Sequence, residues 1–170
     1  MATRDVSYFS GVLTAPIGDV TVVASDLGVR YVMFAEDAHP KPLSNLDIHV
    51  NPQHPVVKYT LDQLREYFDG ARIAFDVPLD LHGTEFQVAT WKSLAEIPFG
   101  KTISYGEQAA SIGRPKAVRA VGGANGRNPV AIVLPCHRVI GANGSLTGFG
   151  GGIAVKQWLL QHERNLIARS

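Results

Sequence analysis

Residues 84–126, TEFQVATWKSLAEIPFGKTISYGEQAASIGRPKAVRAVGGANG, place three helix openings in one short run. In TEFQ and again in SYGE, a hydroxyl residue (Thr84, Ser104) precedes Gln87 or Glu107 by three positions. That spacing is a capping box. The hydroxyl accepts from the N–H three residues on, and the longer side chain returns to the cap's own N–H, so two donors the helix leaves open are satisfied. The first helix is predicted to run through Trp91 and Leu94 and to end before Pro98; the second stops at Gly113. A third is predicted in KAVRAVGGANG from Lys116, with Pro115 suited to a first helical position that needs no N–H. Two short helices joined by a tight glycine-containing turn, the second one basic, outline a helix-turn-helix. Core packing produces the same outline, so this pattern alone leaves DNA binding open.

The third helix is more particular. Arg119, Gly122, Gly123 and Gly126 fall at i, i+3, i+4 and i+7, so one face carries an arginine and otherwise bare backbone. Val118, Val121, Ala117 and Ala124 supply apolar surface elsewhere. Each helical glycine costs up to about 1 kcal/mol relative to alanine. Close approach of another backbone would account for three of them, and a DNA groove is one candidate. A packing contact inside the protein, or a helix that ends near Gly122, is the other. Charge points the same way without deciding. Lys92, Lys101, Arg114, Lys116, Arg119, Arg127 and Arg138 face only Glu96 and Glu107 over 92–138, while the whole chain balances 16 basic against 15 acidic residues. A basic face confined to one half is what phosphate contact needs.

Outward toward the N-terminus the periodicity changes. YFSGVL, VTVVAS and VRYVMFA are β-branched or aromatic runs separated by the turn chemistry of PIGD and DLG, and are predicted strands. The proline-rich AEDAHPKPLSNLDIHVNPQHP is predicted to be a surface connection. VVKYTLDQLREYFDG spaces Val57, Leu61, Leu64 and Phe68 as an amphipathic helix closed by Gly70. IAFDVPLDL is predicted to be a short extended piece. A boundary near residue 81 divides a small α/β module (1–81) from a mainly helical part (82–170), giving an α+β chain.

At 170 residues, with 45% hydrophobic and 18% charged residues, the chain is long enough and apolar enough for a real core. Its opening MATRDVSYFS lacks the apolar core of a signal peptide, and no apolar run approaches the roughly 18 residues of a membrane span. A single cysteine excludes an internal disulfide framework. No membrane association and a reducing, cytoplasmic setting are expected.

That cysteine, Cys136, lies in NPVAIVLPCHRVIG between Pro135 and His137. The apolar run Val130–Leu134 is predicted to be a buried strand that delivers Cys136 at its end. A lone cysteine is often a small buried hydrophobe. Here histidine follows and Arg138 is near, and such neighbours lower a thiol's pKa toward the reactive thiolate. On a regular strand Cys136 and His137 would face opposite ways, so the chain must turn there or a water must bridge them. Glu163, in IAVKQWLLQHE, sits at i+3 and i+4 from Leu160 and Leu159, beside the helix's apolar side. A carboxylate near a helix C-terminus is disfavoured by the dipole, and a specific partner such as His137 would explain it.

PCHRV resembles the active-site signature of the O6-alkylguanine-DNA alkyltransferases, also called methylated-DNA–protein-cysteine methyltransferases. The resemblance extends collinearly from Phe86 through Glu163. It implies an N-terminal ribonuclease H-like module and a winged helix-turn-helix-like C-terminal domain. By that resemblance Cys136 accepts the alkyl group, His137 acts as base through water, Glu163 orients it and Asn128 braces the turn. Tyr105 assists nucleotide flipping and hydrogen-bonds the guanine. Arg119 enters the stack from the minor groove, with Lys116, Ala117, Gly122 and Gly123 against the DNA, and Val139, Phe149 and Gly150 line the pocket. Phe149 and Gly150 stand where some members have tyrosine and serine. A donor to the purine is expected from Tyr105 or from a backbone N–H of TGFGGG. The implied partner is double-stranded DNA bearing alkylated guanine, bound by a monomer; O4-alkylthymine and cooperative binding stay open. No cofactor is expected. The cysteines of the family's N-terminal zinc site are missing, and the histidines at 39, 49, 54, 82, 137 and 162 show no ligand spacing, so no metal is expected either. Two other readings remain: a non-catalytic sensor of alkylated DNA, and a Cys-His hydrolase.

Overall fold

The computed structural model describes residues 6–146 and 149–169. A four-stranded sheet, β1 (Ser7–Ala15), β2 (Gly18–Ala24), β3 (Val29–Phe34) and β4 (Asp47–Val50), has the order β3-β2-β1-β4. Neighbours are antiparallel except β1 and β4, which run parallel. Alternation decides the faces. Val20, Val22 and Ala24 turn toward α1 (Pro55–Phe68), which buries Val57, Leu61, Leu64 and Tyr67. Gly11 lets that helix approach closely: a Cβ there would lie 2.8 Å from Leu61 and 2.9 Å from Val57. Tyr8, Val23 and Tyr31 turn to the other face, where Leu43 and Leu46 of the β3–β4 connection cover them.

The proline-rich stretch is therefore more than a surface connection, since it contains β4. The strand escaped the sequence because it is a four-residue edge with one partner and polar outward residues. The predicted extended piece at 73–81 bends at Ile73 and Ala74, and only Leu79 bridges a strand, at Val29.

Both capping boxes are formed. Thr84 opens α2 (Glu85–Ser93), which continues as a single 3-10 turn through Glu96, and Ser104 opens α3 (Tyr105–Ser111). The next helix, α4, spans Val118–Gly126, so Lys116 and Pro115 lie in the turn before it rather than in its first turn. The Ala117 N–H closes that turn on the Arg114 carbonyl at 2.9 Å. Gln108 and Asn125 exchange side-chain hydrogen bonds (2.6 and 3.2 Å) and lock α3 to α4. A short β5 (Ile103–Ser104) pairs in parallel with β6 (Val139–Ile140), and α5 (Ile153–Arg169) closes the chain. One apolar core runs through both parts, from Val22 and Val32 to Trp91, Leu134 and Leu159.

Residues 130–134 are not a strand. Val130 makes a single bridge to Val32, and the Leu134 N–H then closes a turn on the Val130 carbonyl at 3.0 Å. Ile132 adopts φ 70°, a left-handed conformation that costs a β-branched residue about 1–3 kcal/mol. Apolar runs record burial, and burial suits a packed turn as well as a strand.

Candidate active site

The turn that carries Cys136 is fixed at both ends. Its start docks on the edge of the N-terminal sheet, where the Val32 N–H donates to the Pro129 carbonyl at 2.9 Å. Asn128 spans it from inside: Oδ1 accepts from the Val130 N–H (3.0 Å) and Nδ2 donates to the Leu134 carbonyl (2.7 Å). Pro135 leads out of that turn, and Cys136–Arg138 form one 3-10 turn. That turn replaces the strand geometry that would have sent Cys136 and His137 to opposite faces.

Glu163 is the hub beneath it, 1% exposed. Its Oε2 accepts from the Tyr67 hydroxyl (2.7 Å) and lies 2.6 Å from His137 Nε2. Its Oε1 accepts from the Arg138 Nε (2.8 Å) and from the Gly100 N–H (3.0 Å). A second Arg138 nitrogen reaches Oε2 at 3.2 Å. Burial alone would push this carboxyl up, but His137 and Arg138 outweigh it and hold it far below the ordinary carboxylate range. An ionised carboxylate only accepts, so His137 carries its proton on Nε2. The lone pair is then on Nδ1, which is buried and has no hydrogen-bond partner among the described residues. Burial, reinforced by Arg138 and Lys156 and opposed by Glu163, depresses the His137 pKa, so the ring is neutral. Because Glu163 lies six residues before Arg169, the helix dipole is not its main burden.

Burial pushes the Cys136 thiol up. A hydrogen bond from Asn128 and the fields of Lys156 and Lys41 pull the other way without overcoming it, so the resting group is a thiol. Lys156 escaped the sequence reading. It is 1% exposed, donates to the Val139 carbonyl at 2.6 Å, and lies 5.9 Å from the centres of both the Tyr105 and Phe149 rings. Its signal was its register: seven residues before Glu163, it shares that residue's helix face. Tyr67 and Gly100 carried no signal, since their link to Glu163 depends on tertiary folding alone.

The other predicted residues separate into groups. Arg119, Lys116 and Gly123 are exposed, whereas Ala117 is half-buried. Gly122 backs onto the Tyr105 ring, 3.9 Å from where its Cβ would be, while nothing lies within 4 Å of a Cβ at Gly123. Gly126 is buried, so the bare face divides: part is open and its last glycine serves internal packing. Of the seven basic residues, Arg138 is consumed by Glu163 and the other six are exposed. Val139 is buried, and Phe149 and Gly150 are half-buried. Thr147 and Gly148, part of the predicted donor loop, lie outside the described residues. Among the described residues no group of His, Cys, Asp and Glu could hold a metal, and no helix is long and apolar enough to cross a membrane.

This site makes stability fall with acid. His137 is held below its ordinary 6.5 and Glu163 below its ordinary 4.5. Each contribution is full above the unfolded value and is lost as pH falls toward the folded one, because the unfolded chain binds the proton first. Urea midpoints are expected to fall as pH drops below about 6.5 and more steeply below about 4.5. A flat profile over that window would contradict the arrangement.

Known proteins match this architecture over nearly its full length. The model of the 6-O-methylguanine DNA methyltransferase ribonuclease-like domain matches residues 8–81, and that of the same family's DNA binding domain matches residues 85–165. A methylated-DNA–protein-cysteine methyltransferase of Mycobacterium bovis is 46% identical over 153 residues, 90% of each chain. One from Methanosarcina acetivorans is 44% identical over 155 residues, 91% of this chain and 97% of its own. The crystal structure of Mycobacterium tuberculosis OGT in complex with DNA covers 93% of this chain and 94% of its own at 44% identity, with a TM-score of 0.87. Both halves are matched in order and the length is shared almost entirely, so the chain belongs to the 6-O-methylguanine DNA methyltransferase family.

Proposed function

We propose that this chain repairs DNA by moving an alkyl group from the O6 of guanine irreversibly onto Cys136, one group per molecule. What carries the reading is the orphaned Nδ1 of a neutral, buried His137, clamped through Nε2 by Glu163, next in sequence to the only thiol. A water between Nδ1 and Sγ would give the ring nitrogen a partner and the thiol a route for its proton. Transfer of that proton to His137 leaves a thiolate, and the imidazolium is stabilised by the carboxylate beneath it. Sulfur attacks the alkyl carbon in line; the S–C bond forms as the C–O6 bond breaks. The bonding pair retires into guanine, which takes up a proton. Thiol and alkylguanine thus become thioether and guanine, with no cofactor and no metal. Burial and the neighbouring Cys136 raise the Tyr105 pKa, so its hydroxyl stays protonated and suits donation to the purine as charge develops there.

A base inside the stack is out of reach, so the nucleotide must be flipped at a cost of a few kcal/mol. Arg119, exposed on α4 beside the open backbone of Gly123, is assigned to fill the gap from the minor groove, with Lys116 and Ala117 against the phosphates. Val139, Phe149 and Gly150 line the pocket. In this reading residues 1–81 and 82–170 are the two domains of a monomer, and the unpaired thiol suits a cytoplasmic, reducing setting. Arg119→Ala is expected to slow transfer from an O6-methylguanine duplex roughly tenfold or more, leaving transfer from the free base within about twofold. Equal losses on both substrates would remove Arg119 from flipping, and no loss on either would remove it from the reaction.

A further inference from the structure

The β3–β4 connection reaches across to the loop that follows the active-site turn. The Ala38 N–H donates to the Gly150 carbonyl at 2.8 Å. Asp37 Oδ1 accepts from the His39 N–H at 2.8 Å, which tightens the chain into an Asx turn. Asp37 Oδ2 lies 3.7 Å from Lys41 Nζ, and the two side chains are only 13% and 8% exposed. At one end the Phe34 ring packs on Phe149 with centroids 5.6 Å apart; at the other, Leu43 and Leu46 are anchored under the sheet. Solvated ion pairs contribute little, and burying one carries a desolvation cost, so a nearly buried lysine–aspartate pair on a connection asks for a role.

The glycines opposite fit the same contact. A Cβ on Gly150 would lie 2.8 Å from Asp37 Oδ1 and 3.3 Å from the Gly126 carbonyl. A Cβ on Gly151 would lie 2.5 Å from the Phe34 ring. Gly150 is therefore matched to Asp37: the carboxylate occupies the space a side chain would need.

We propose that residues 37–41 are a strap from the N-terminal domain that positions the Phe149–Gly152 wall of the alkyl pocket, with Lys41 held on the strap by Asp37. The proposal rests on the alkyl-transfer reading. Lys41 is a positioning residue, with no contact to the reacting atoms assigned to it. The groups that bear on Cys136 come from five places: Asn128 before the turn, His137 within it, Tyr105 on α3, Lys156 on α5, and Lys41 on the strap, partly offset by Asp37. The fields of Lys156 and Lys41 both favour the thiolate.

Two readouts test it, one without DNA. The first is the pH profile of Cys136 alkylation by iodoacetamide; the second is single-turnover transfer from O6-methylguanine duplex, split into maximal rate and DNA Kd. Lys41→Met is expected to move the alkylation midpoint up by about half a unit or more and to lower the maximal rate about three- to tenfold, with Kd within about twofold. Lys41→Arg is expected to restore both. Asp37→Asn, which unbuckles the strap at constant size, is expected to lower the maximal rate without weakening DNA binding. Wild-type midpoint and rate in Lys41→Met would overturn the proposal, and so would a loss confined to Kd, which would make Lys41 a DNA contact. If the wild-type protein transfers nothing, the alkyl-transfer reading fails, while the iodoacetamide profile still decides the role of Lys41.

Discussion

Cys136→Ser is expected to abolish alkyl uptake while leaving recognition of the lesion duplex intact. A hydroxyl holds its proton far more tightly than a thiol, and oxygen is a harder nucleophile toward an sp³ carbon. Loss of the nucleophile is expected to lower transfer by roughly a thousandfold or more. The exchange is nearly isosteric. Asn128 can hydrogen-bond the hydroxyl as it does the thiol, so the cost in stability is about 1 kcal/mol. Single-turnover assays with labelled duplex, beside a direct measurement of DNA Kd, separate the two effects. Residual transfer near the wild-type rate would move the acceptor away from Cys136; a large rise in Kd would show that the substitution damages the binding surface.

Glu163→Gln is expected to damage folding and chemistry together. The carboxylate answers five donors, and Arg138, 6% exposed, has no other carboxylate beside it among the described residues. Removing one partner of a buried pair leaves the other charge unpaired and costs about 3–5 kcal/mol. That is a large share of a typical domain's roughly 5–15 kcal/mol, about a fifth at the least. A glutamine can also present its NH2 to Nε2, which would shift the imidazole proton to Nδ1 and block the basic lone pair. By comparison with other histidine–carboxylate pairs, lost tautomer control lowers the rate roughly 10²–10⁴-fold. Urea titration reads the first effect. Transfer measured at low temperature, where the variant remains folded, reads the second. Unchanged stability would contradict the hub.

What the sequence made legible follows from how local each device is. The capping boxes at Thr84 and Ser104 are complete within four residues, so their spacing suffices to place α2 and α3. The α1 face was readable from Val57, Leu61 and Leu64, because a helix repeats its burial every turn. Glu163 stood out as a carboxylate beside Leu159 and Leu160. The remainder depends on contacts between distant residues. Tyr67 and Gly100 reach Glu163 across 96 and 63 positions. β4 is an edge whose pattern shows only against β1. The turn at Ile132 is written in apolar residues that read equally well as strand. Lys156 was marked only by sharing a helix face with Glu163, and nothing local records that other elements cover Lys41.

The proposed consumption of Cys136 is read out by the intact and peptide mass of the protein after reaction with excess O6-methylguanine duplex. One methyl-for-hydrogen gain is expected, located on Cys136 and saturating at one per molecule. An unmodified Cys136 in a protein that binds the lesion tightly would contradict it and make the chain a sensor of alkylated DNA.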